Sequence, residues 1–179
     1  ITPTTTQIRK YSNYGSANIE PVQVADVTLF LQRGNRKIRE FKYIGEVDTA
    51  GYQAPDITVL AEHITKGGVE GFAYQQEPEN IVWCVRSDGT LLGLTYRREE
   101  SVVAWHKHVI GGAFDGGQAV VESITTLPTD SGEDELYMIV KRTIDGQTMR
   151  YVEVMKKFDF GSATTSAFFV DSGLSYAGS

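Results

Sequence analysis

The stretch IVWCVRSDGTLLGLTY, residues 81–96, decides how this chain folds. Two apolar runs, IVWCVR and LLGLTY, flank SDGT, and Asp88-Gly89 is a dipeptide favoured where a two-residue hairpin turn needs positive φ. A β-hairpin follows. VEGFAYQ precedes it, and SVVAWHKHVI comes after the charged turn RREE, so four consecutive antiparallel strands are predicted.

The unit recurs. A slide of 53 residues lays LFLQRGNRKIREFKY (29–43) on VWCVRSDGTLLGLTY (82–96), matching Arg33 with Arg86 and Tyr43 with Tyr96. Downstream, VESITTLP matches VEGFAYQQ at a shift of 52, with Val121 on Val69 and Glu122 on Glu70. ELYMIVKRTIDGQTMRYVEV then supplies another hairpin, with Asp145-Gly146 as its turn and a longer first strand. The predicted organisation is an extended arm or linker at 1–20 and three repeats at 21–68, 69–118 and 119–160. A linker and the start of a following strand or domain occupy 161–179.

Repeats of about 40 to 50 residues built as four-stranded meanders are the sequence signature of β-propeller blades. The expected fold is mainly β, a partial propeller of about three blades with one short helix; divergent hairpins in a β-sandwich are the alternative. Propellers close with about four to eight blades, so three units call for more sheets from elsewhere. The chain opens on Ile1 and ends with GLSYAGS directly after the apolar AFFVDS, as a fragment of a larger protein would.

One segment breaks the strand pattern. APDITVLAEHITKGG places Ile57, Leu60, Ala61 and Ile64 at helical spacing, with Pro55 near the first turn and Gly67-Gly68 as a stop. A short helix over 55–65 is predicted, in place of the outermost strand of the first repeat. GGAFDGG reads as a flexible loop between repeats.

Composition excludes several functions. The net charge of −6 lacks the basic footprint by which nucleic-acid binders neutralise phosphates. The longest apolar runs fall far short of the roughly eighteen residues of a membrane span. A single cysteine, Cys84, precludes an internal disulfide; between Trp83 and Val85 in an apolar strand it reads as core rather than as a nucleophile. Trp83, Cys84, Leu94, Tyr96 and Trp105 are the expected core. There is no Walker loop, G-x-S-x-G elbow or dinucleotide fingerprint, and no cofactor is expected.

The strongest chemical candidate is WHKH, because His106 and His108 at i, i+2 on a strand share a face and could ligate a metal, with His63 or Glu70 as a third ligand. A strand edge carrying two satisfied histidines is the plainer reading. Glu99-Glu100 and GEDE (132–135) read as solvated turns rather than paired catalytic carboxylates, and RGNRK and YRRE as hairpin tips rather than phosphate sites. Tyr74, Trp83 and Trp105 could stack on sugars only if exposed.

APDITVLAEHIT, AYQQEPENIVWCVRSDGTLLGLTYRREESVVAWHKH and DELYMIVKRTIDGQTMRYVE resemble structural proteins of tailed bacteriophages and prophages, similar to the tail nozzle (tail tubular protein B) of short-tailed phages. The resemblance spans about residues 1–160 and rests on structural motifs such as YQQEP and RYVE, none of them catalytic. It implies a non-enzymatic propeller-bearing subunit, made in the bacterial cytoplasm, that joins other tail subunits in a homo-oligomeric ring of the virion tail. DNA leaves through that ring without specific binding, and no membrane is involved. Such proteins are several times longer than this chain. The competing class is a virion-associated carbohydrate-binding or polysaccharide-degrading propeller domain.

Overall fold

The structure, a computed structural model, describes residues 10, 12–45, 51–157, 159, 161, 162 and 173. The alternating and continuous apolar runs become strands, all paired antiparallel in chain order. Sheet A holds β1 (Val22–Val24), β2 (Val27–Leu31), β3 (Ile38–Ile44) and β4 (Gly51–Gln53). Sheet B holds β5 (Val69–Gln75), β6 (Ile81–Arg86), β7 (Leu91–Arg97) and β8 (Val102–His108). After a two-stranded ribbon, β9 (Ala113–Phe114) and β10 (Gly117–Gln118), comes sheet C: β11 (Val120–Pro128), β12 (Asp134–Ile144) and β13 (Gln147–Val154). Among the described residues no sheet closes into a barrel. Within the predicted arm, Ser16 bridges Gln32, and Ala17 and Ile19 pack on the core.

Three local expectations are corrected. The turn after β6 has three residues rather than two: the Gly89 N–H bonds to the Arg86 carbonyl, the Arg86 N–H bonds to the Thr90 carbonyl, and only Gly89 has positive φ (80°). Asp145-Gly146, by contrast, is a two-residue turn with both φ positive, 51° and 75°. GGAFDGG is ordered as the β9–β10 ribbon, because Asp115 and Gly116 adopt the same pair of positive φ angles. The helix over 55–65 is replaced by one 3-10 turn, Val59–Ala61. The Asp56 carboxylate accepts from both the N–H and the hydroxyl of Thr58, and the N–H groups of Ala61 and Ile64 reach back only three residues. Asp56 and the β-branched Thr58 offer the backbone an alternative to helical bonds. Leu60, expected on an apolar helix face, is 95% exposed, and the outermost strand of sheet A is β4.

The three sheets stack. One core joins Leu29, Leu31 and Ile38 of sheet A to Val82, Cys84, Leu92, Leu94 and Tyr96 of sheet B. The second joins Trp83, Val85 and Leu91 on the opposite face of sheet B to Val121, Leu136, Met138 and Val140 of sheet C. Burial on both faces explains why β6 and β7 read as continuous apolar runs.

The faces also meet in a constant sense, which follows from the hydrogen bonds. In an antiparallel strand alternate residues bond to opposite neighbours, and their side chains point to opposite faces. Gln32 bonds to Lys37, so Leu31 and Leu29, one and three residues away, bond toward β1; these face sheet B. Arg86 bonds to Thr90, so Trp83 and Val85 bond toward β5; these face sheet C. Leu136 accepts from Met155, just past β13, and it faces sheet B. Each sheet thus turns its front, the side chains bonded across its first two strands, to the back of the next. The junctions repeat as well: the Val69 N–H bonds to the Asn35 carbonyl at 2.7 Å, and the Val121 N–H to the Gly89 carbonyl at 2.9 Å. Glu70 and Glu122 are the extra residues of two bulges at the same repeat position.

At the second junction a Cβ on Gly89 would lie 2.9 Å from the Cα of Val120, whereas one on Gly146 meets nothing within 4 Å. Both glycines have positive φ, so Gly146→Ala should cost only backbone strain, about 1–2 kcal/mol. Gly89→Ala adds a steric clash and should cost roughly 2–5 kcal/mol in total. Urea unfolding of the two variants checks this; equal losses would mean the junction tolerates a side chain.

Candidate functional site

Sheet B has four strands where the described part of sheet C has three, and β8 borders a cleft of about 700 Å³ between the two sheets. Ile81, Trp83, Leu136 and Met155 supply its apolar lining. His106, His108, Glu79, Glu133, Asp134, Glu135, Lys156 and Lys157 supply the charged and titratable groups.

The strand register builds the histidine pair. Trp83, Gly93 and His106 lie in one cross-strand row. A Cβ at Gly93 would overlap the His106 imidazole, so the glycine is what lets that ring lie over the sheet, edge-on to Trp83 with centroids 6.0 Å apart. His106 Nδ1 stands 2.7 Å from His108 Nε2, and His106 Nε2 stands 3.2 Å from Thr95 Oγ1. The indole N–H of Trp83 donates to Gln75 at 2.9 Å. Burial lowers both histidine pKa values below the ordinary 6.5, and the charge on His106 adds to the effect at His108. One nitrogen of the close pair must donate and the other accept, so two imidazolium ions cannot keep this contact.

The expected third ligands are elsewhere. His63 is exposed in the turn after the 3-10 residues Val59–Ala61, Glu70 is the bulge residue of β5, and neither lines the cleft. Among the described residues no three His, Cys, Asp or Glu side chains stand close enough to share a metal. His106 engages both ring nitrogens within the protein, and in either tautomer its lone pair is taken up by His108 or Thr95. Cys84 is fully buried, and burial pushes its thiol pKa well above the ordinary value, which removes it as a nucleophile.

The carboxylates read as solvated turns are mostly engaged. Asp134 accepts from the N–H groups of Gln76 and Glu77, Glu133 pairs with Lys157 at 2.9 Å, Glu135 accepts from Tyr137, and Glu100 pairs with Arg97. Three of the hairpin-tip cations, Lys37, Arg97 and Arg98, are likewise paired. Lys37 meets Asp56 and Glu62, and Arg98 meets Asp26 and Glu40. Arg98 belongs to a polar seam between sheets A and B, where the Tyr96 hydroxyl donates to Glu40 at 2.6 Å. Burial, then the Glu40 carboxylate, raises the Tyr96 pKa. Trp83 is 2% exposed, and Trp105 packs on the first core and donates to the Ile57 carbonyl, so neither ring is open to a sugar.

Gly93, Thr95, Gln75 and the two lysines were not among the sequence candidates. A glycine inside an apolar strand signals a close approach, and LLGLTY carried that signal. The lysines arrive at the cleft by packing that no local pattern encodes. No protein-family model matches the chain, and no curated protein matches it either.

Two outcomes follow. Because the unfolded histidines regain a value near 6.5, the unfolded chain binds more protons once the pH drops below it. Stability present above pH 6.5 is lost as the pH falls through 6.5 toward the lower folded values. Thermal melts between pH 7.5 and 5 should show this decline, and the His106→Gln/His108→Gln double variant should flatten it. Zinc or a chelator should leave the melting temperature unchanged, since a site specific for the native state would raise it; stoichiometric metal by elemental analysis would reverse that conclusion.

Proposed function

We propose that the chain is a non-enzymatic structural module of a phage tail, of the nozzle kind, in which each stacked sheet is one blade of a propeller. The observation that carries this reading is the front-to-back stacking of sheets A, B and C through repeated junctions. Layers related in this way can be added until a ring closes, whereas two sheets of a sandwich satisfy each other by closing on one common core. The sequence resemblance to tail nozzle proteins points the same way.

A conduit for DNA must not hold phosphate. The net charge of −6, with Arg86 on Asp88, Arg142 on Glu153, Arg150 and Lys141 on Glu122 and Lys157 on Glu133, suits passage of a polyanion. Cations already neutralised by partners release few counterions from DNA. The carbohydrate-binding alternative named Tyr74, Trp83 and Trp105 as its stacking rings; Trp83 is buried, and Tyr74 and Trp105 pack on the first core.

Particles purified from the source that carries this sequence should contain its peptides, with gold-labelled antibody at the tail end. The purified protein should give no gel shift with duplex DNA at 150 mM salt. Labelling confined to host cells, or a salt-resistant complex with DNA, would overturn the proposal.

A further inference from the structure

The chain contains three Asp-Gly pairs, at 88–89, 115–116 and 145–146. Such a pair is open to one self-inflicted reaction, because no side chain shields the glycine nitrogen. That nitrogen attacks the aspartate Cγ: a C–N bond forms, a carboxyl C–O bond breaks, and the hydroxyl leaves as water with the amide proton. Water then opens the cyclic imide at either carbonyl. One opening restores aspartate, and the other leaves isoaspartate, whose main chain runs through Cβ. Water lost in the first step returns in the second, and nothing is oxidised. The reaction requires a neutral carboxyl free to swing and a glycine nitrogen free to receive it.

At Asp88 the fold withholds both. The Arg86 guanidinium donates to Oδ1 at 2.9 Å and to Oδ2 at 2.6 Å, and the Thr90 N–H donates to Oδ1 at 3.0 Å. These bonds, that of Arg86 foremost, hold the carboxyl well below the usual carboxylate range, so its neutral form is scarce. The Gly89 N–H is bonded to the Arg86 carbonyl at 2.7 Å, and its Cα abuts Val120. Asp115 and Asp145 differ on each count. Both are exposed in two-residue turns, and among the described residues their carboxylates accept no hydrogen bond. Thr143 takes only the main-chain N–H of Asp115. Among the described residues the N–H groups of Gly116 and Gly146 make no main-chain bond, and a Cβ on either glycine meets nothing within 4 Å.

We propose that Asp115 and Asp145 are sites of spontaneous isomerisation to isoaspartate, and that the Arg86 clamp and the Gly89 hydrogen bond protect Asp88 in the same dipeptide. The extra main-chain carbon lengthens a turn that closes on Phe114 with Gly117 or on Ile144 with Gln147, so each conversion loosens that closing pair. It also makes the turn a substrate for methyltransferases that recognise isoaspartyl carboxylates.

The test is to hold the full chain in warm neutral buffer for several weeks, beside a sample kept unfolded in guanidinium chloride. Trypsin then separates the three pairs into peptides 87–97, 108–141 and 143–150. Isoaspartate is located by retention time and electron-transfer fragmentation, and is counted by methyl transfer from an isoaspartyl methyltransferase. In the folded sample, conversion at 115 and at 145 should exceed that at 88 by at least about tenfold, since lowering a carboxyl pKa by one leaves about a tenth of the neutral form. In guanidinium chloride the three should convert at similar rates. Arg86→Gln, verified as folded by circular dichroism, should raise conversion at Asp88; no rise in the folded variant overturns the part given to Arg86. Equal conversion at all three in the folded protein overturns the proposal, as does none at 115 and 145 while the unfolded sample reacts. Conversion at only one of 115 and 145 overturns the assignment of the other.

Discussion

The structure hangs on a backbone contact made twice: a residue at the start of an entering strand, Val69 or Val121, donates its N–H to the hairpin tip of the preceding sheet, at Asn35 or Gly89. A main-chain bond at 2.7 to 2.9 Å leaves no room for adjustment by side chains. It sets the separation of neighbouring sheets at one end, and it requires glycine where the Gly89 backbone meets Val120. Once sheet B is held between A and C, both of its faces are withdrawn from water. Val82, Cys84, Leu92 and Leu94 are then demanded on one side, and Trp83, Val85 and Leu91 on the other.

The cleft is a by-product of the same stacking. β8 extends sheet B by a strand along the three strands of C, and its His106 and His108 fall at the mouth of the space. Burial lowers the pKa of both half-buried imidazoles, and His106 adds to the effect at His108. Both ring nitrogens of His106 are engaged, by Thr95 and by His108, so that ring is structurally satisfied. The charges near the rim follow the same logic. Glu133 with Lys157 and Glu135 with Tyr137 are short-range pairs that close the third sheet's hairpin ends. Exposed pairs of this kind contribute little stability individually.

Much of this was legible in the amino-acid order, and the failures have a common origin. The Asp145-Gly146 turn and the burial of Trp83, Cys84, Leu94 and Tyr96 agree with the expectations from patterning. At 55–65 the spacing of Ile57, Ala61 and Ile64 suggested a helix. Those residues do face the core, yet from a turn segment with a single 3-10 turn at Val59–Ala61, because Asp56 and Thr58 capture the backbone bonds. Leu60 shared that spacing and ended in water. Composition suggested a loop at GGAFDGG, where the φ angles of Asp115 and Gly116 build a ribbon instead. Short-range preference was read correctly for which residues are apolar and where the chain turns, and less well for which of several local bonds a segment adopts.

By itself the sequence determined the central hairpin of each sheet, the four strands of sheet B and the repeat near 52 residues, because alternation with period two and glycine-containing turns act over a few residues. Tertiary structure alone decided which face of each sheet meets which neighbour, that Gly93 would carry an imidazole, and that Lys156 and Lys157 would reach the cleft. The physical reason is that a strand's pattern marks an apolar side without naming its partner. That choice belongs to hydrogen bonds and packing between residues 30 to 60 positions apart, such as Val69 with Asn35 and Tyr96 with Glu40.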